Sequence, residues 1–142
     1  MRLILVTKKV DLFEPGDHAS TFGGNPFACK AGITVATEIE RRNLLKNVTD
    51  RGVQLKEGLL ELTKKYPSQL KGVRGLGLMQ GLLIKEETNL TANNVANAAI
   101  LEKLLLVSAG EKVVRIVPPL TISRSETRQL LLRLDSTLES LS

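Results

Sequence analysis

Near the start of the chain, His18-Ala19-Ser20-Thr21-Phe22-Gly23-Gly24-Asn25-Pro26-Phe27 brings two hydroxyls and a glycine pair to the threshold of an apolar-periodic stretch. Asn favours the position that caps a helix N-terminus, and Pro its first turn. A helix is therefore expected to open at Pro26. Gly23 and Gly24 permit backbone conformations in which amide N–H groups converge, and Ser20 and Thr21 add hydroxyl donors just ahead of that point. Converging amides, hydroxyls and the positive end of a helix together suit an anion, above all a phosphate. A plain turn and cap would need no more than Asn25-Pro26, so the residues alone leave both readings open.

Arg115 is the second candidate. It stands between Val114 and Ile116, ahead of Pro118-Pro119. An arginine at a strand end ordinarily keeps its head in water. One held in an apolar run before two prolines also suits bidentate capture of a carboxylate.

Other chemistries are poorly served. Gly75-x-Gly77-x-x-x-Gly81 is one residue too long for a dinucleotide fingerprint, and it runs on as strand where that motif would open a helix. Gly24 to Lys30 lacks the Gly-Lys-Ser/Thr of a P-loop. With one His and one Cys, no metal-ligand spacing and no nucleophilic triad emerges. His18 reads as a hydrogen-bonded structural residue, and Cys29 as a buried structural thiol inside the first helix.

The elements that must position these residues follow from periodicity. The 142 residues suffice for one domain with a real core. Hydrophobic residues make up 42% and charged residues 25%, and the only Phe or Tyr are three Phe and one Tyr, a globular, helix-leaning balance. The net charge of +5 is scattered among acids, as in Glu38-Ile39-Glu40-Arg41-Arg42, unlike the clustered charge and interleaved aromatics of a nucleic-acid binder. No apolar run approaches a membrane span, Leu3 to Val6 is too short for a secretory signal, and a lone cysteine suits a reducing compartment. A cytoplasmic protein is expected.

Leu3 to Val6 reads as a short strand or frayed terminus, and Glu14-Pro15-Gly16-Asp17 as a turn. In the helix from Pro26, Ala28, Ala31, Gly32, Val35 and Ile39 share one face, small enough for close packing on another backbone. A second helix from about Val48 to Lys65 carries Val48, Gly52, Leu55, Leu59 and Leu62, and Pro67 stops it. Two strands follow, Gly72–Arg74 and Gly77–Ile84, with a bend near Gly75. Thr91 caps a third helix burying Val95, Ala98 and Leu101. Strands are expected around Leu105–Val107 and over Val113–Val117, joined at Ala109-Gly110 and ended by Pro118-Pro119. Ser123-Arg124-Ser125-Glu126 has the spacing of a capping box, and the helix it opens carries Leu130, Leu134, Leu138 and Leu141. The expected class is α+β, helices on one face of a small, mostly antiparallel sheet.

Three segments in the same order carry a family resemblance: His18 to Pro26; Val73-Arg74-Gly75-Leu76-Gly77-Leu78-Met79 with Gly81; and Val114-Arg115-Ile116-Val117-Pro118-Pro119-Leu120-Thr121-Ile122. From about Val10 onward the chain resembles the last third of class III pyridoxal-phosphate-dependent aminotransferases, most closely their acetylornithine-using branch. The resemblance implies a fold-type-I small C-terminal domain over residues 43–142, preceded in 1–42 by a residual large-domain segment with the phosphate-contact loop and the start of the linking helix. It implies that Thr21, with Ser20, contacts the cofactor phosphate across a dimer interface, and that Arg115 faces the active site to bind a substrate carboxylate or pair with a glutamate.

One departure is local. The family usually has a glycine before the strand leading to the arginine, where this chain has Leu104-Leu105-Leu106 after Lys103. The other is an absence. Amino transfer to 2-oxoglutarate needs a lysine amine that condenses with the cofactor aldehyde and shuttles the proton, and in the family that lysine lies upstream of the Ser20-Thr21 motif. Nothing around Lys8 or Lys9 resembles its context, so no catalytic residue is assigned. The expectation is a fragment of an aminotransferase, inactive alone. The rivals are a non-catalytic module that assembles with a large domain or full-length partner and, less favoured, a basic anion- or nucleic-acid-binding domain.

Overall fold

The computed structural model describes residues 7–10, 14, 21 and 24–142. The expected strand at Leu3–Val6, the turn from Pro15 on, His18 and Ser20 lie outside them. The chain divides into two compact units, residues 1–42 and 43–142.

In the first unit a short 3-10 turn spans Lys8–Val10, and helix α1 runs over Pro26–Arg41. It opens as expected. Asn25 Oδ1 accepts the Ala28 amide at 2.9 Å, and Pro26 fills the first turn, where its missing N–H costs nothing. Near its end Arg41 forms a two-pronged ion pair with Glu38, at 2.8 and 2.7 Å. The expected packed face is not observed. No α1 residue is buried, and Val35 is 60% exposed. Cys29 is likewise exposed, contrary to the expected buried thiol. Among the described residues of its own unit, nothing buries the small-residue stripe.

The second unit contains helix α2 (Leu44–Lys65), strands β1 (Leu70–Leu76) and β2 (Met79–Ile84), helix α3 (Ala92–Leu101), strands β3 (Val107–Ser108) and β4 (Val113–Ile116), and helix α4 (Arg124–Glu139). The strands form one sheet in the order β1-β2-β4-β3, every pair antiparallel. This is the expected α+β small domain, its helices gathered on one face. Alternation fixes that face. Gln80, Leu82 and Ile84 of β2 are buried, as are Val114 and Ile116 of β4, and the register pairs Leu82 with Val114 and Gln80 with Ile116. Onto them pack Leu55, Leu59 and Leu62 of α2, Val95 of α3, and Leu134 and Leu138 of α4.

Several expected boundaries shift. Helix α2 starts at Leu44, ahead of Val48, because Asn43 enters it at φ 49 with no side-chain cap to advertise the start. The reversal between β1 and β2 falls at Gly77-Leu78, past the expected bend at Gly75. Gly75 (φ 139) stays in the ladder opposite Gln80, where a Cβ would collide with the Met79 carbonyl. Helix α3 buries Ala92, Val95 and Ala99, whereas Leu101 is 83% exposed. It breaks at Lys103, which takes φ 57, the left-handed conformation a glycine would adopt without strain. The first of the two later strands shrinks to Val107–Ser108.

Candidate functional site

Thr21 lies exposed in a turn of the first unit, and no hydrogen bond among the described residues engages its hydroxyl. Gly24 (φ 72) then swings the chain into the Asn25 cap. Asn25 takes the Ala28 amide and Pro26 has none, so among the described residues Phe27 keeps the one uncommitted amide of the first three helical residues. An exposed hydroxyl ahead of a capped helix start suits a phosphate oxygen, which takes such donors. Its neighbour Ser20 falls outside the described residues. Lys8 and Lys9 are exposed in the 3-10 turn.

Arg115 lies in the second unit. Its neighbours Val114 and Ile116 are fully buried, 0% and 2% exposed, so strand alternation turns Arg115 onto the opposite, helix-free face of the sheet. The chain beyond it is fixed, as the diproline suggested. The Ile122 amide donates to the Pro119 carbonyl at 3.0 Å, and Asn47 Nδ2 of α2 donates to the carbonyls of Leu120 and Ile122 at 2.8 and 2.9 Å. Sequence reasoning overlooked this clamp. Asn47 falls on no apolar stripe, and its partners lie more than seventy positions away.

The ladder also places Arg74 of β1 opposite Gly81 of β2, and Gly81 opposite Arg115 of β4. Arg74, Gly81 and Arg115 thus form one row across three strands on the helix-free face. Both arginines are exposed, and among the described residues neither forms a hydrogen bond or ion pair. A groove of about 370 Å³ opens near the end of β4, lined by Leu104, Leu105, Leu106, Ile116, Pro118, Pro119 and Leu130 among others. Arg115 does not line it. The groove lies on the helix side, among the residues that seat α4.

The perturbed ionisable groups sit elsewhere and are structural. Lys65 of α2 donates to Asp135 of α4 at 2.7 Å and stands 5.2 Å from the centre of the Tyr66 ring, while the Tyr66 hydroxyl donates to the same carboxylate at 2.7 Å. The hydrogen bond to Asp135 pushes the Lys65 pKa up to about 12. Burial pushes the Asp135 carboxyl up, but hydrogen bonds from Lys65 and Tyr66 outweigh it and hold the group below the usual aspartate range. Among the described residues no His, Cys, Asp and Glu cluster is fit for a metal ion, and no helix is long and apolar enough to cross a membrane.

The family model for class-III aminotransferases matches residues 2–138, reaching ahead of Val10, where the sequence resemblance begins. An acetylornithine aminotransferase of Prochlorococcus marinus (strain MIT 9313) is 64% identical over 95% of this chain and 32% of its own length. One from Parasynechococcus marenigrum is 60% identical over 97% of this chain and 33% of its own. Among solved structures, the acetylornithine aminotransferase of Elizabethkingia anophelis superposes with a TM-score of 0.78 at 27% identity, covering 92% of this chain and 32% of that one. The chain spans about a third of the length of the relatives it matches.

Proposed function

We propose, from the premise that this chain belongs to the class-III aminotransferase family, that it is the C-terminal third of an acetylornithine- or succinylornithine-type aminotransferase acting in arginine biosynthesis. The match over residues 2–138 carries the reading. Residues 1–42 correspond to the end of the large domain and 43–142 to the small domain. The complete enzyme is a cytoplasmic dimer that passes an amino group to 2-oxoglutarate.

Pyridoxal phosphate, when bound, supplies the electron sink that makes amino transfer feasible. This chain's part is to hold and orient. Ser20 and Thr21 would donate their hydroxyls to the phosphate of the cofactor. Arg115 would receive a substrate carboxylate in two parallel N–H···O bonds. Asn47 keeps the segment after Arg115 from swinging, which steadies the chain beyond the strand that carries the arginine. The proton-shuttling lysine belongs to the upstream two thirds, and the chain alone is inactive.

Two mixtures test this. Purified chain treated with pyridoxal phosphate and borohydride should carry no stoichiometric pyridoxyl-lysine and show no turnover. Co-expressed with the upstream portion of a class-III relative, it should bind the cofactor and transfer the amino group of acetylornithine, and Thr21→Ala should weaken cofactor binding about tenfold. A stoichiometric label with turnover in the first mixture, or no assembly in the second, overturns the reading.

A further inference from the structure

Three features of the second unit converge on the middle of its helix-free sheet face. The first is register: Arg74 and Arg115 both pair with Gly81, from opposite sides. Strands lie about 4.8 Å apart, so the two arginine Cα atoms are roughly 10 Å apart, a gap that two arginine side chains easily close. The second is the glycine between them. A Cβ on Gly81 would stand 3.5 Å from Arg74 Cγ and 3.1 Å from Val113 Cγ1. The Arg74 stem and the Val113 side chain therefore close over Gly81, which is itself buried, while both arginines remain exposed. The third is charge. The strand residues sharing this face include Leu76, Met79, Leu83, Val107 and Val113, none of them acidic, and neither guanidinium has a partner among the described residues. Two unpaired like charges facing each other across a glycine repel unless an anion joins them.

We propose that Arg74 and Arg115 together hold one carboxylate between their exposed heads, so that Arg74 is a second substrate-binding arginine. Two guanidinium forks offer a carboxylate more than the single bidentate pair that Arg115 alone can make. With no side chain of its own, Gly81 lets the Arg74 stem lie against β2, on the Arg115 side. That the carboxylate belongs to an amino donor or an oxo acid rests on the aminotransferase reading. The two-arginine site itself does not.

The test titrates 2-oxoglutarate into the full 142-residue chain and follows the arginine side-chain N–H groups and the Gly81 amide by NMR. Saturable shifts at all three positions are expected. Arg74→Gln and Arg115→Gln should each weaken binding about tenfold, and Arg74→Lys should recover only part of the loss, because the point charge returns without the fork. Gly81→Ala keeps both charges and should weaken binding by displacing the Arg74 stem and Val113. Its urea midpoint reports whether the sheet tolerates the methyl, and if it unfolds, the two Gln variants at exposed positions still decide. Unchanged affinity in Arg74→Gln, or no saturable shift in the unaltered chain, overturns the proposal. Either result leaves the co-expression test standing, and failure of co-expression leaves this titration standing.

Discussion

At the scale of single residues, two contacts decide how α2 meets the sheet and α4. Gly52 of α2 sits against the β1–β2 turn so closely that a Cβ would lie 2.8 Å from the Gly77 backbone. Backbone cannot yield as a side chain can, so Gly52→Ala should cost about 1–3 kcal/mol. Gly72→Ala, with open space around it, should stay within about 0.5 kcal/mol of the parent. Urea denaturation of both separates a steric cause from a general sensitivity of glycines. At the far end of α2, the Asp135 carboxylate is held below its ordinary pKa by Lys65 and Tyr66 against the upward push of burial. A depressed folded-state pKa stabilises fully above the unfolded value, about pH 4, and the contribution is lost as pH falls through the folded one. Lys65 acts at the other limit. Its contribution is complete below the ordinary lysine value and is lost as pH rises through about 12. The unaltered chain should therefore lose stability more steeply than Asp135→Asn below about pH 4, and equal slopes would remove the carboxylate from the account. Tyr66→Phe should cost about 1 kcal/mol at neutral pH.

At the scale of elements, starts marked by a side-chain cap were legible in the sequence and unmarked ones were not. Ser123 accepts the Glu126 amide at 3.2 Å while Glu126 Oε2 accepts the Ser123 amide at 2.8 Å, the box expected from the spacing alone. Thr91 caps α3 as expected, with Asn94 as its reciprocal partner. The apolar stripe of α2 was readable because its period is regular, whereas its first turn was not, Asn43 being left-handed and uncapped. The hairpin turn was misplaced because Gly75 and Gly77 both read as bends, and only the close approach to Met79 and Gln80 assigns Gly75 to the ladder. Ser123→Ala should cost about 1 kcal/mol, seen as a lower urea midpoint at unchanged slope. At Lys103 the chain takes a left-handed turn that strains any residue with a Cβ, and Arg133 donates to its carbonyl at 2.6 Å. Lys103→Gly should relieve that strain and stabilise by up to about 1 kcal/mol, less the entropy glycine adds to the unfolded chain. A loss of stability would show that the lysine stem packs there.

At the scale of the whole molecule, the legible and illegible parts divide by where the covering surface lies. For the second unit, the stripes on α2 and α4 and the alternation in β2 and β4 point inward to one another, so sequence periodicity identifies most of the core. Burying Thr127 and Thr137 was not legible, because each satisfies its hydroxyl on a carbonyl four residues back in its own helix and needs no partner elsewhere. For α1 the same logic failed. Its small-residue face promised packing, yet Phe27 is 85% and Ile33 60% exposed and nothing on the helix is buried. A stripe shows that a surface is meant to be covered, but not which part of a protein covers it. The consequence can be measured. Every described core residue, from Val48 to Leu141, lies in the second unit, so the cooperative unit should be residues 43–142. A chain trimmed to those residues should unfold in one transition with a urea midpoint close to that of the full chain and nearly the same slope, since the slope follows the surface exposed on unfolding and α1 hides little of it. The isolated 1–42 segment should show little helix in water, because sixteen residues with one side-chain cap are marginal without tertiary support. A trimmed chain with a much shallower slope would mean that the two units share a cooperative core, and a 1–42 peptide that is stably helical would mean that the first unit folds by itself.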